Sequence, residues 1–373
     1  MSVALALGAA ATPVVVQRAE PWMAQASALI GRLLASPPPQ CASDGVTLSG
    51  KRVTAATLYD NMIGFAQAAG TDGGLHRQLF TVSRAHDLPG QSQPGTLRWA
   101  VAQARSAGGG WIAFAPALHG TTIRLRSPLR LASNITIDGG CAMPRLVGVG
   151  RGSILYLRGS HNVVITRLRF EHAGGGEDGD CITVSHGADR IWLAYLRLRQ
   201  CRDGLIDVTR DGVQGPMRVT ISNNRFSDHD KAMLVVGAPL APPCRALHRP
   251  IQLTVARNIF YHTGQRHPRA SGDAFVHLHD NVIAFRPQRR ANGAQGGAYG
   301  TLAAQGAHIL VERTLYMPPA DGKQYRLVTA RAGPSTSRSS ACQQGRIEVR
   351  ANGPVNGKGT YEALVRAVFR ATE

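Results

Sequence analysis

Two short acidic segments stand out in a strongly basic chain. GGGEDGDCI carries Glu177, Asp178 and Asp180, and DGLID, a little further on, carries Asp203 and Asp207. On adjacent turns of a repeating fold, Asp178, Asp180, Asp203 and Asp207 would make an all-oxygen site suited to Ca²⁺, which prefers several hard ligands in flexible geometry. Solvated loop acids account for the same spacing. SDHDKAML follows with His229, Asp230 and Lys231, one of only four lysines, and GQRHPRASG holds Arg266, His267 and Arg269. A metal held by carboxylates beside Lys and Arg is a cradle for a polyanionic sugar chain. The metal would draw charge onto a uronate carboxylate and acidify the proton alpha to it, for a nearby base to remove. Ordinary pKa values point to His229 or His267 as that base, because a guanidinium normally keeps its proton far above neutral pH. Lys231, Arg266 and Arg269 also suit an ordinary solvated basic face.

These residues need a fold that brings distant loops side by side. From about residue 134 to 316 one pattern recurs: runs of β-branched and alternating residues, each ending on a large apolar residue, separated by loops rich in Gly, Asp and His. The runs are NITIDG, NVVITRLRF, RIWLAYLRL, RVTISNNRF, IQLTVARNIF, FVHLHDNVI and HILVERTLY. Their last residues from the second run on, Phe170, Leu198, Phe226, Phe260, Ile283 and Tyr316, are separated by 28, 28, 34, 23 and 33 residues. Short strands at an irregular period predict a parallel β-helix, in which loops absorb the length variation. A sandwich would show more hairpin turns. Asn224, Asn258 and Asn281 each stand two residues before a run's end, where stacked bends would let their amides form a ladder.

Other elements are expected at the ends. Met23 to Leu34 and Thr54 to Ala69 read as short helices, LHRQLFTVS as a strand, TLRWAVAQARS as a helix and WIAFAP as a strand. YEALVRAVFRAT reads as a C-terminal helix that covers an open end of the stack. The expected organisation is an N-terminal segment over residues 1–73, a β-helix over 74–330 and a tail over 331–373.

The chain of 373 residues is 43% hydrophobic and 17% charged, which suits a folded globule. Its net charge of +19 reflects either an arginine-biased genome or an anionic partner, an acidic polysaccharide as readily as a nucleic acid. No apolar run beyond the N-terminus is long enough for a membrane span. The first residues are apolar and then small but lack a basic start, so an export signal is weak. Six dispersed cysteines form no zinc knuckle or C-x-x-C pair; Cys181 and Cys201 are potential neighbours in a repeat. His277 and His279 alternate on one strand face and fit structural roles better than a zinc site. The LRLRQCR segment invites a nucleic-acid reading, but its alternation suits a strand with arginines facing outward. Phosphate-loop, dinucleotide and nucleophile-elbow motifs are absent.

Taken together and in order, GTLRWAVAQ, NITIDGG, DGDCI, DGLIDVTR, VTISNNRFSDHDKAML, QRHPRASG and FVHLHDNVI resemble the pectate lyase family of the PelC and Amb-allergen type, over roughly residues 74–330. The resemblance implies an all-β, right-handed parallel β-helix with short flanking helices. It implies Ca²⁺-dependent β-elimination of α-1,4-polygalacturonate to 4,5-unsaturated oligogalacturonides. Asp180, Asp203 and Asp207 match calcium ligands, and Asp178 matches an acid that joins with further calcium. Lys231 matches the contact to the substrate carboxylate, Arg266 the general base, and Arg269 a second substrate arginine. The partner implied is an acidic polysaccharide met outside the cell by a monomer, with neither nucleic acid nor membrane involved. Two motifs differ from the family form. R-x-P-R-x-R reads RHPRAS, with Ser271 at the third arginine, and W-x-D-H reads Trp192, Leu193, Ala194, Tyr195. Pectin lyase, a lyase for another polyuronate, a β-helical hydrolase and a non-catalytic polysaccharide-binding protein are the alternatives; the retained acids disfavour the first.

Overall fold

The computed structural model describes residues 58–87, 93–173, 179–211, 215–238, 250–287, 299–319, 325–331 and 345–350. The helices expected at Met23 to Leu34 and at the C-terminus lie outside these residues, as does Asp178.

The chain winds as a right-handed parallel β-helix. Among the described residues, ten strands form one parallel sheet and fifteen form a second, branched one. The run-ending residues are in register from coil to coil: Phe170 lies opposite Leu198, then Phe226, Phe260, Ile283 and Tyr316. All six are buried, and Phe226 stacks on Phe260 with ring centroids 4.5 Å apart. Each coil thus contributes one large apolar residue to a continuous column, which is how short strands that bury little alone acquire a core.

The later runs are not single strands. Each bends once, at Arg167, Tyr195, Asn223, Arg257, Asp280 or Arg313, all at φ between 41° and 59°. The left-handed residue turns the chain out of one sheet and into the other. It has a steric cost of about 1 kcal/mol or more outside glycine. The next residue, Leu168, Leu196, Asn224, Asn258, Asn281 or Thr314, points inward and is buried. The expected asparagine ladder is present here. Asn224 N and Nδ2 donate to Asn258 Oδ1 at 2.9 and 3.1 Å, and Asn258 N and Nδ2 donate to Asn281 Oδ1 at 3.0 and 3.1 Å. Each Nδ2 also donates to a strand carbonyl, of Leu193, Ile221 or Val255, at 2.9 Å. The turn's polar groups are therefore paired without water.

The end elements follow the sequence in part. The helix Leu97–Ser106 begins where Thr96 Oγ1 accepts from Trp99 N at 3.2 Å, and its buried Leu97, Ala100, Val101 and Ala104 pack on the first coil. The helix expected over 54–69 is broken in its described part. Ile63 is extended and Gly64 has φ of +67°, so only Gly64–Ala68 continues as helix. The break is imposed by docking: Phe65 N and Ala66 N donate to Thr254 and Thr220 on the ten-stranded sheet, and a Cβ at Gly64 would overlap Thr254. In the tail, Arg346–Arg350 pairs with His308–Glu312 and extends that sheet. Cys181 and Cys201 form a disulfide.

Candidate active site

The bend opposite the asparagine ladder carries the acids. Asp180 precedes the strand Ile182–Ser185, and Asp203 precedes Gly204–Thr209, which includes Asp207. These strands are neighbours, with Thr183 opposite Asp207. The long strand Arg225–Val236 follows, placing Lys231 opposite Gly204 and Leu234 opposite Asp207. Arg269 of the strand Arg269–Ser271 lies opposite Leu234. Tyr156, Thr183, Asp207, Leu234 and Arg269 therefore form one row across four coil interfaces.

Asp180 and Asp207 are both buried, at 8% exposure each. Asp180 Oδ1 accepts from Gly204 N at 2.9 Å and Oδ2 from Thr183 Oγ1 at 2.9 Å. Burial raises its pKa against these hydrogen bonds, and the neighbouring Asp203 raises it further. Asp207 is raised more strongly, by burial first and then by the charge of Asp180, while Arg266 opposes the rise. The two carboxylates converge on one point: a Cβ at Gly204 would lie 2.9 Å from Asp180 Oδ1 and 2.9 Å from Asp207 Oδ1. Glycine leaves that space open. Two like charges converging in a half-buried gap are a donor set for a hard cation.

Asp203 is more exposed and pairs through Oδ1 with Lys231 Nζ. Its carbonyl lies 2.8 Å from His229 Nε2. Burial lowers the pKa of His229, so the ring is held as a neutral strut. Among the described residues no three His, Cys, Asp or Glu side chains form a ready-made metal-ligating group. Asp180, Asp203 and Asp207 nevertheless fit a calcium ion by their chemistry, with Lys231 now on one oxygen of Asp203.

Arg266 lies between two strands at φ of +64°, with its carbonyl accepting from Met233 N at 2.8 Å. Its Nε and Nη1 are buried and have no hydrogen-bond partner among the described residues. The next residue, His267, is fully buried between Phe260 and Phe285, each ring centroid 5.3 Å away. Burial pushes its pKa down to about 3. Of the two histidines that reference pKa values favour as base, His267 faces the core and His229 supports a loop.

The structure thus gathers Asp180, Asp203, Asp207, Lys231 and Arg266, with Arg269 exposed in the same row. It also brings in residues the motifs do not mark. Ser153 Oγ accepts from Asp180 N at 3.1 Å, and a cavity of about 480 Å³ beside the acids is lined by Arg151, Ser153, Tyr156, Asp180, Arg202 and Asp203. Arg202, directly before DGLID, was the one visible signal; the others depend on coil register. Ser271 is buried, beside the strand Arg225–Val236. Ala194 and Tyr195 sit at the far bend, in an apolar cluster with Leu58, Met62 and Trp192, so that departure does not touch the acids.

Comparison with known proteins agrees with this fold. Residues 40–336 match the family model described as pectate lyase. Pectate lyase 1 of Hesperocyparis arizonica is 30% identical over 304 residues, covering 76% of this chain and 74% of that protein. Pectate lyase 1 of Chamaecyparis obtusa is 31% identical over 302 residues, covering 75% and 72%. Among solved structures, jun a 1, the major allergen from cedar pollen, aligns with a TM-score of 0.57 at 25% identity, covering 81% of this chain and 85% of that one. A pectate lyase from Paenibacillus sp. 0602 aligns at 0.52 with 14% identity, covering 80% and 83%, a likeness of fold alone. The chain belongs to the pectate lyase family of polysaccharide lyases.

Proposed function

We propose that this chain is a calcium-dependent lyase that cleaves α-1,4-polygalacturonate by β-elimination. The observation that carries the reading is the pairing of opposites in one cleft: buried, convergent Asp180 and Asp207 beside Arg266, whose buried Nε and Nη1 have no hydrogen-bond partner among the described residues.

Calcium, when bound, supplies positive charge that relieves the repulsion among the acids and withdraws charge from a uronate carboxylate. Asp180, Asp203 and Asp207 would hold it, with Asp178 as a further acid. Lys231 exchanges Asp203 for the substrate carboxylate, and the exposed Arg269 orients the chain. Arg266, after its guanidinium has released a proton to solvent, takes the proton from C5 as the neutral guanidine, the C5–H pair becomes the C4=C5 double bond, and the C4–O4 bond breaks. The departing O4 gains a proton, so no water is consumed. Fully buried His267 anchors the backbone next to Arg266, its N–H donating to the Gly300 carbonyl at 2.9 Å. The Cys181–Cys201 disulfide supports an oxidising, extracellular setting.

The test is the growth of ultraviolet absorbance from the conjugated product on polygalacturonate, with calcium and with chelator. Absorbance that rises only with calcium is expected. New reducing ends without conjugation would replace elimination with hydrolysis, and binding without turnover would leave a polysaccharide-binding protein.

A further inference from the structure

A second charged feature lies on the neighbouring face. Arg145, Arg169, Arg197 and Arg225 hold the same register position on four successive coils. The residues that follow them, Leu146, Phe170, Leu198 and Phe226, are buried, so strand alternation puts the arginines on the outer face. Parallel strands lie about 4.8 Å apart, which makes the row about 14 Å long. A groove of about 250 Å³ runs along it, lined also by Arg199, Glu171 and Asp228. Glu171 is shared, accepting from Arg199 at 3.2 Å and lying 3.8 Å from Arg145. Five arginines thus face two carboxylates along this groove.

We infer that this row is a second binding site for a linear polyuronate, separate from the acid-bearing cleft. A chain whose carboxylates recur at about the coil spacing can meet successive guanidinium groups, each a planar fork suited to a carboxylate. The single aromatic lining residue, Phe170, is buried, so the groove lacks the stacking platform that single-stranded nucleic acid uses. Residues 200–203 link the strand Arg197–Arg199 of the groove to the strand Gly204–Thr209 of the cleft, and a polymer too long for the cleft engages both sites. Linkage of this kind raises avidity without any change in the cleft. The choice of occupant rests on the substrate class proposed above.

The experiment uses the full chain and the double variant Arg197→Gln, Arg225→Gln. Migration is measured in native gels containing polygalacturonate and chelator, beside turnover of a tetragalacturonate with calcium. The variant should lose about three- to tenfold in apparent affinity for the polymer, as expected for two solvent-facing ion pairs, with tetramer turnover unchanged. Lys231→Ala should do the reverse, keeping retention and losing turnover. Equal retention of parent and double variant overturns the inference. So does a parent that polygalacturonate does not retard, or that polyglutamate of equal length retards as strongly. If the double variant does not fold, Arg145→Gln with Arg199→Gln removes two more exposed members of the same groove. Row-dependent retention without any unsaturated product would keep this site and overturn the lyase reading alone.

Discussion

Two of the bends along the coils solve opposite problems. At the ladder bend, Asn224, Asn258 and Asn281 are buried, and their amides are paired with one another and with strand carbonyls. At the acid-bearing bend, Asp180 and Asp207 converge on an open space, and Arg266 carries two buried nitrogens with no hydrogen-bond partner among the described residues. One bend has its polar groups satisfied from within; the other holds charge that waits for something from outside. A repeating fold permits this division because each bend stacks only on its own kind.

Four experiments would break or sharpen that contrast. The largest effect is expected from Arg266→Ala, which should reduce turnover by about a thousandfold or more, in the range of a lost general base, with thermal unfolding and calcium binding preserved. Persistent turnover would move the base elsewhere. Next is Asn258→Ala at the satisfied bend, which leaves the backbone N–H of Asn224 and the carbonyl of Ile221 without their partner. Urea unfolding should report a loss of about 2–4 kcal/mol, while activity per folded molecule stays constant. A small loss would mean that water replaces the ladder.

Asp207→Asn should act in the opposite direction. Removing one of two converging buried charges should raise the melting temperature of the calcium-free protein by about 2–4 °C and abolish the rise that calcium gives the parent. A lower melting temperature would show that the acid is structurally satisfied. The smallest effect is the pH dependence of the calcium-free parent. Asp180 and Asp207 have raised pKa values in the fold, so the folded state binds more protons than the unfolded one between the ordinary carboxylate range and those raised values. The contribution of this pair to stability therefore falls as pH rises through that window. Scanning calorimetry of parent and Asp207→Asn should show the parent losing more stability over it, and calcium should remove the difference.

Much of the fold was legible because burial restricts residue choice. An asparagine inside a core needs partners for its whole amide, so three at one phase of three runs announced a ladder. The columns ending at Phe170, Leu198, Phe226, Phe260, Ile283 and Tyr316 were visible for the same reason. The residues that make the bends were not, because Arg167, Tyr195, Arg257 and Arg313 adopt the left-handed conformation although their side chains carry no preference for it. The acids and the basic residues were legible as clusters, and the family resemblance gave them roles. What chemistry alone misjudged was the histidines: His267 is the better base in solution, but it lies in an aromatic cage that no local spacing reveals. The arginine row was hidden differently. Its members are 24, 28 and 28 residues apart, and only the register aligns them.

The strand Arg225–Val236 carries one further consequence. Over its 12 residues it pairs at one end with the strands of the arginine row and at the other with those of the acids. A change confined to residues 200–203 or 266–268 alters the surroundings of the acids without shifting the register of the arginine row. A change of length inside this strand would instead slip Arg225 against Lys231 and misregister both faces at once. Drift and recombination can reshape the surroundings of the two surfaces separately, but this strand binds them into a single heritable unit.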